Sequence, residues 1–129
     1  MTHPFSLDGQ TALVTRSVAR LGFGNAPALA LAGAHVLVNG RDAARLGAAV
    51  TTIIRKGGKA EPYVLDVCDA DAVTKAIAAA PPIHILVNNA GARDRRGFLE
   101  MEDAAFRRLV ELDLFAPAHL TRGGPRTMV

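Results

Sequence analysis

Four short apolar runs, each followed by a segment with the residue pattern of a helix, constrain the fold of this chain most strongly. The runs lie near residues 11–15, 35–39, 61–66 and 83–88. Strands that alternate with helices favour right-handed crossovers and a parallel sheet with helices on both faces. The sequence therefore predicts an α/β protein that forms a single domain over residues 1–129.

Helix signals lie between these runs. Asp42 is placed to cap the second helix, and Asp69 or Asp71 the third, because a carboxylate at this position accepts hydrogen bonds from free backbone N–H groups. Gly33 ends the first helix, and Gly57 with Gly58 closes the second. The helices are expected near residues 26–32, 42–56, 69–79 and 103–120.

Composition argues against several classes of protein. The net charge is +3, but the arginines are scattered and few aromatic residues accompany them, so we expect no nucleic-acid partner. The longest apolar stretch, 26–38, is shorter than the roughly 20 residues that a membrane span needs. The first residues lack the pattern of a signal peptide, and the single Cys68 cannot form an internal disulfide. We therefore expect a cytoplasmic protein, no membrane partner and an inert thiol.

The fourth apolar run ends in an unusual group of residues. Asn88 and Asn89 bring two side-chain amides to its carboxyl end, and Ala90 and Gly91 leave room for a flat molecule against the backbone. Ligands of open α/β sheets bind outside the carboxyl ends of the strands. The sequence therefore predicts a ligand site at this edge of the sheet.

Three motifs in this order resemble those of the short-chain dehydrogenases/reductases. They are the opening FSLDGQTALVT over 5–15, Asp66-Val67 after the third run, and Asn88-Asn89-Ala90-Gly91 after the fourth. The segments 39–42 and 91–96 look similar to gluconate 5-dehydrogenase-like members. The resemblance implies a Rossmann-type NAD(P)-binding domain with strand order 3-2-1-4. It also implies an oxidoreductase for a small alcohol or keto substrate.

The resemblance also implies which residues contact the cofactor. Asp66 matches the acid that binds the adenine ring, with a helix cap as the alternative role. Asn88 matches the asparagine that ties the central strands together. Arg41 follows the second run, where NAD binders usually carry an acid; a guanidinium suits a 2′-phosphate, so we expect NADP rather than NAD. A solvated turn residue is the alternative for Arg41. The implied contact residues are Thr15, Ser17, Leu21, Gly22, Arg41, Asp66, Val67, Asn88, Ala90 and Gly91.

The loop after the first run departs from the family pattern Thr-Gly-x-x-x-Gly-x-Gly. Read without gaps, Arg16 and Arg20 stand where the first two glycines belong, and Gly22 remains. If the first position needs left-handed backbone geometry, a side chain there costs roughly 1–2 kcal/mol. A second register uses Gly22 and Gly24 as the closing pair and places Pro27 in the first helical turn. The gapless register, which we favour, places Pro27 deeper in the helix.

The family's catalytic Ser and Tyr-x-x-x-Lys have no match here, since the only tyrosine, Tyr63, has no lysine four residues later. The sequence ends at Val129, so we expect a sheet truncated before the catalytic strand and helix. An inactive oxidoreductase half is then predicted; a non-catalytic dinucleotide-binding module is the alternative. Asp113 aligns with the family's relay asparagine, or it caps a helix break before Pro117. An open apolar edge at the fourth run predicts self-association.

Overall fold

The computed structural model of the chain describes residues 3–17, 20–124 and 128, with the backbone alone for 20–23. Four strands in this part form one sheet, in the order β3-β2-β1-β4, and all three pairings are parallel. The predicted strand order is thus confirmed. The strands are β1 (Thr11–Val14), β2 (His35–Gly40), β3 (Lys59–Val64) and β4 (Ile85–Val87).

The strand ends differ by a few residues from the prediction. Strand β3 begins and ends two residues earlier than 61–66, because its pairing with β2, which starts at Lys59 opposite His35, sets its limits. It is an edge strand, so it lacks a continuous apolar run and tolerates Pro62. Strand β4 is shorter than 83–88, since Ile83 is buried in the core before the paired segment begins.

The helix caps confirm the local signals in the sequence. The Asp42 carboxylate accepts hydrogen bonds from the backbone N–H groups of Ala44 and Arg45, at 3.0 and 3.2 Å. Asp69 accepts one from the N–H of Ala72, at 3.1 Å. The helices are α1 (Arg20–Leu31), α2 (Ala43–Arg55), α3 (Ala70–Ala79), α4 (Asp103–Val110) and α5 (Ala116–Gly123), and a π-helical segment (Glu111–Phe115) joins the last two.

Helix α1 begins six residues earlier than predicted from residues 26–32. Gly22 and Gly24, which suggested a loop, lie inside it, and so does Pro27. This start agrees with the gapless register, which places Pro27 deep in the helix. The helix is held by small residues that allow close approach to the sheet: Ala26 and Ala30 are almost fully buried.

Helices cover both faces of the sheet, as predicted. Successive strand residues point to opposite faces, so Val14 and Val38 join α1 and α2 in one cluster, whereas Leu13 and Leu37 join α3 and α5 in the other. Within the described part of the chain, no helix is long and apolar enough to cross a lipid bilayer.

Candidate functional site

The hydroxyl of Thr15 joins two loops at the carboxyl edge of the sheet. Thr15 directly follows β1 and is 1% exposed. Its oxygen accepts hydrogen bonds from the backbone N–H groups of Asn89 and Ala90, both at 2.9 Å, and donates to the carbonyl oxygen of Val87 at 3.4 Å. This one buried hydroxyl therefore fastens the loop after β4 to the end of β1.

Arg16, the next residue, has a left-handed backbone. Its φ is +47°, and it is the only non-glycine residue with positive φ in the described ranges. Its N–H donates to the side-chain oxygen of Asn39 at 3.1 Å, and its carbonyl accepts from the side-chain amide of Asn89 at 3.2 Å. The position of the family's first glycine therefore keeps glycine-like geometry, although an arginine occupies it.

The side chain of Arg16 also links the two loops. Its guanidinium Nη1 donates to the carbonyl oxygen of Gly91 at 2.6 Å. A hydrogen bond with a charged donor is shorter and stronger than a neutral one. We call this contact the Arg16 bridge. It runs from the loop after β1 to the loop after β4.

Ser17, the next predicted residue of this loop, does not line an open surface. Ser17 is fully buried, and its hydroxyl lies 2.9 Å from the carbonyl oxygen of Val14 and 3.3 Å from that of Asn39. Its described contacts are thus inside the turn, at the ends of β1 and β2. The surroundings of Leu21 and Gly22 lie outside the described residues.

A cavity of about 450 Å³ opens beside Thr15 and Arg16, at the carboxyl ends of β2 and β3. This volume lies within the range usual for small-molecule sites. Four residues predicted to bind a cofactor contribute to its walls, whereas Asn88 and Gly91 do not. The predicted residues in the walls are Arg41, Asp66, Val67 and Ala90.

Charged side chains dominate the rim of this cavity. Four arginines line it, at positions 16, 41, 45 and 108, with three carboxylates at positions 42, 66 and 111. The Asp42 carboxylate is already engaged at the start of α2. Asp66 is exposed and accepts the backbone N–H of Cys68 at 3.0 Å, while Asp69 caps α3. Asp66 is therefore not the cap of that helix, and the arginines favour an anionic ligand.

Cys68 lines the same cavity but carries no sign of a reactive thiol. Burial is the main cause that raises its pKa, and the negative charges of Asp66 and Glu111 raise it further. Arg41 and Arg16 act in the opposite sense and are outweighed. Because the thiolate is the reactive form, the environment agrees with the inert thiol predicted from the sequence.

The two asparagines after β4 have different contacts. The Asn88 amide donates to the hydroxyl of Thr121 in α5, at 3.0 Å. Asn89, not Asn88, provides the amide that reaches the loop after β1, at the carbonyl of Arg16. The described contacts of Asn88 thus lead to α5 and do not tie the central strands together as the resemblance implied. Thr15 and Asn89 connect the ends of β1 and β4 instead.

Asp113 supports the same loop from the helical side. It lies in the π-helical segment, and its Oδ1 accepts a hydrogen bond from the backbone N–H of Ala92 at 2.9 Å. A Cβ placed on Gly91 would lie 3.3 Å from this oxygen. The expected irregularity before Pro117 is thus a π-helical segment, of the kind often found at functional sites.

Sequence reasoning missed several residues of the cavity wall. Arg108 comes from α4, Glu111 and Leu112 from the π-helical segment that follows it, and Arg45 from the first turn of α2. Glu111 and Leu112 follow Arg108 by three and four residues, which places both beside Arg108 on one face of a helix. That spacing was visible in the sequence, but the strand ends that this face would meet were not.

Comparisons with known proteins show which family shares this sequence and fold. The sequence profile of the short chain dehydrogenase family matches residues 10–129. The chain belongs to this family. The 2-dehydro-3-deoxy-D-gluconate 5-dehydrogenase of Formosa agariphila is 38% identical over 97% of this chain and 49% of its own length. The gluconate 5-dehydrogenase of Gluconobacter oxydans is 45% identical over 74% of this chain and 40% of its own length.

Solved structures of the family share the fold. The crystal structure of a gluconate 5-dehydrogenase from Burkholderia cenocepacia, in complex with NADP and tartrate, superposes with a TM-score of 0.86 at 31% identity. The match covers 95% of this chain and 49% of that one. The chain thus spans about half the length of the relatives it matches. The predicted family, its gluconate 5-dehydrogenase-like character and the Rossmann-type fold are confirmed.

The two sides of the site differ in how well they suit the nicotinamide cofactor that this family implies. On the Arg41 side, the cavity with its exposed arginines and the exposed Asp66 suits a phosphorylated adenosine. On the Arg16 side, a side chain crosses the space between the two loops. Family members use glycine in this loop so that the backbone can approach the pyrophosphate closely. The described residues of the cavity therefore fit the adenosine half, whereas the side chain of Arg16 does not fit the pyrophosphate.

Proposed function

We propose that the chain is the nucleotide-binding half of an oxidoreductase that uses NADP(H) and acts on an alcohol or keto group of a small molecule. The observation that carries the proposal is the cavity at the ends of β2 and β3, with Arg41 and Asp66 in its wall. Arg41 would hold the 2′-phosphate, Asp66 the adenine ring, and Val67 and Ala90 the flat faces beside it. NADP in the Burkholderia cenocepacia structure supports the choice of nucleotide.

The substrate follows from the relatives alone. Those compared above are named for gluconate and 2-dehydro-3-deoxy-D-gluconate, so we propose a sugar acid or a related polyol. The bound nicotinamide would supply or accept the hydride. A hydride transfer also needs a group that moves a proton at the substrate oxygen. This sequence has no Tyr-x-x-x-Lys, and we therefore expect this chain alone to bind nucleotide without turnover.

Calorimetric titration tests the nucleotide preference. We expect weak binding of NADPH and weaker binding of NADH. The variant Arg41→Ala should remove the difference, because only NADPH carries the 2′-phosphate. Arg55→Ala, at the far end of α2, is the matched control for loss of one positive charge. Tighter binding of NADH than of NADPH would contradict the proposal.

A turnover assay tests the expected inactivity. We expect no reduction of keto substrates and no oxidation of sugar acids by the isolated chain with either nucleotide. Robust turnover that survives Tyr63→Phe would show that another group does the proton transfer, and the argument from the family pattern would fail. Without turnover but with binding, the alternative of a non-catalytic dinucleotide-binding module gains support.

We also propose that the chain self-associates and resides in the cytoplasm. Strand β4 pairs with β1 on one side, and no strand of the described residues pairs with the other. Phe106 of α4 and Leu114 and Phe115 of the π-helical segment are 53%, 60% and 57% exposed. An unpaired edge and exposed apolar side chains both favour association. The proposal of a cytoplasmic location rests on the single cysteine, which cannot form an internal disulfide and so agrees with a reducing compartment. A clean monomer in sedimentation at tens of micromolar, with a sharp melting transition, would argue against self-association.

A further inference from the structure

We propose that the Arg16 bridge shortens the nucleotide site, so that it prefers an adenine mononucleotide with a 2′-phosphate over the intact dinucleotide. The inference rests on the proposed function, namely that the cavity holds the adenosine half of NADP(H). It goes beyond that function because it assigns the site a smaller ligand than the family's cofactor.

Arg16 is held in place at three points. Its N–H is bound by Asn39, its carbonyl by Asn89, and its guanidinium by the carbonyl of Gly91. The backbone contacts fix the left-handed turn, and the turn directs the side chain towards Gly91. The bridge is therefore a built contact between the two loops, and opening it costs the charged hydrogen bond to Gly91.

The cavity borders on this bridge. Among the described residues, Arg16 and Ala90 form part of its wall, whereas Gly91, whose carbonyl oxygen the guanidinium reaches, does not. A dinucleotide that occupied the cavity would have to continue past these residues along the loop after β4. A ligand without the nicotinamide arm needs no such passage, and it can be held with the bridge closed.

The charges of the cavity suit such a ligand. Arg41, Arg45 and Arg108 are exposed residues of the cavity wall, and Arg16 adds a fourth guanidinium at the bridge. A nucleotide with one phosphate on the ribose 2′-oxygen and one on the 5′-oxygen presents an anion to each end. Arginine pairs well with phosphate through parallel N–H groups. In this arrangement Arg16 binds the 5′-phosphate of the mononucleotide and obstructs the path that the nicotinamide arm of a dinucleotide would take.

Calorimetry with adenosine 2′,5′-bisphosphate and NADPH tests the proposal on the whole chain. We expect the bisphosphate to bind about tenfold more tightly than NADPH, the ratio that loss of one charged hydrogen bond produces. Arg16→Gly should reverse or abolish this ratio by improving NADPH binding and weakening bisphosphate binding. Arg95→Gly, an exposed arginine outside the cavity, is the control and should leave the ratio unchanged.

The outcomes separate this inference from the proposed function. Wild-type binding of NADPH as tight as that of the bisphosphate, or an unchanged ratio in Arg16→Gly, overturns the mononucleotide preference and leaves the proposed function standing. Failure of both nucleotides to bind the wild type and Arg16→Gly overturns both. If Arg16→Gly does not fold, Arg16→Met keeps much of the side-chain length without the guanidinium. The same fall in the ratio is then expected, and its absence overturns the inference.

Discussion

The loops after β1 and after β4 meet at the same edge of the sheet but keep the family pattern to different degrees. The loop after β4 retains Asn-Asn-Ala-Gly, whereas the loop after β1 carries arginine where the first glycine belongs. The backbone of Arg16 nevertheless turns left-handed, at φ +47°. The comparison shows that hydrogen bonds from the loop after β4 can hold Arg16, in the loop after β1, at a positive φ that glycine adopts without strain.

The hydrogen bonds across this junction explain how the strain is tolerated. A left-handed non-glycine residue costs roughly 1–2 kcal/mol. Hydrogen bonds to a buried hydroxyl or between side chain and backbone contribute about 0.5–1.5 kcal/mol each. Thr15 accepts two from the loop after β4, and Asn89 returns one to Arg16. Together these hydrogen bonds outweigh the backbone strain at Arg16. Substitutions of Thr15, Arg16 and Asn89 test this.

The largest effect is expected for Thr15→Val. The variant keeps the shape of the side chain but leaves the N–H of Ala90 without its acceptor, while the N–H of Asn89 keeps only the carbonyl oxygen of Val87, at 3.0 Å. Because one half-buried donor loses its acceptor and a second loses one of two, we expect a loss of about 1–2 kcal/mol in the free energy of unfolding. The shift of the urea midpoint at fixed protein concentration measures it.

Thr51→Val is the matched control for this change. Thr51 lies on the exposed face of α2, and its hydroxyl contacts the carbonyl oxygen of Gly47 in the same helix, at 2.9 Å. Exposed substitutions of this kind change stability by about 0.5 kcal/mol or less. Equal midpoint shifts in Thr15→Val and Thr51→Val would show that the Thr15 hydroxyl does not join the two loops.

A pair of substitutions at Arg16 separates backbone strain from the side-chain bridge. Arg16→Ala and Arg16→Gly both remove the guanidinium, but only glycine adopts a positive φ without penalty. We therefore expect the glycine variant to be more stable than the alanine variant by about 1 kcal/mol. Equal urea midpoints for the two variants would mean that the loop relaxes out of the left-handed turn once the bridge is gone.

Substitutions of the two asparagines after β4 are expected to change the free energy of unfolding by smaller amounts. Asn89→Ala removes the amide bound to the carbonyl of Arg16 and should lower the free energy of unfolding by about 1 kcal/mol. Asn88 is exposed whereas Asn89 is half-buried, so Asn88→Ala, which removes the contact with Thr121, should cost about half as much. The urea midpoints of both variants measure these two losses. A larger loss in Asn88→Ala would restore to Asn88 the strand-tying role that the family resemblance implies.

The sequence predicted those parts of the molecule that depend on local signals. The parallel sheet followed from the alternation of elements and its strand order from the family resemblance, while the caps at Asp42 and at Asp69, one of two candidates, followed from carboxylates at helix starts. The start of α1 was wrong because Gly22 and Gly24 suggest a loop, whereas packing of the alanines against the sheet favours a longer helix. Local signals are weak where tertiary contacts decide.

The candidate site was predictable to a similar extent. The family resemblance implied Arg41, Asp66, Val67 and Ala90, and they line one cavity because strand ends meet at one edge of the sheet. The Arg16 bridge was not predictable: the sequence indicates a misplaced side chain, but only the structure shows which carbonyl it reaches. Contacts between loops that are 75 residues apart depend on the fold as a whole.

The smallest effect is expected at Asp113, which holds the far end of the loop after β4. Its Oδ1 accepts the N–H of Ala92, and this contact is exposed, so water replaces it when it is lost. We expect Asp113→Ala to lower the free energy of unfolding by about 0.5 kcal/mol, at the low end for one hydrogen bond. Asp113→Asn keeps an oxygen in the same place and should be nearly neutral. Hydrogen exchange at the Ala92 amide gives the sharper measurement: it should become faster in Asp113→Ala and stay unchanged in Asp113→Asn. Equally fast exchange in both variants would mean that the loop is held by the negative charge of Asp113 and not by its acceptor oxygen. The asparagine that the family carries at this position would then be unable to support the loop as the aspartate does here.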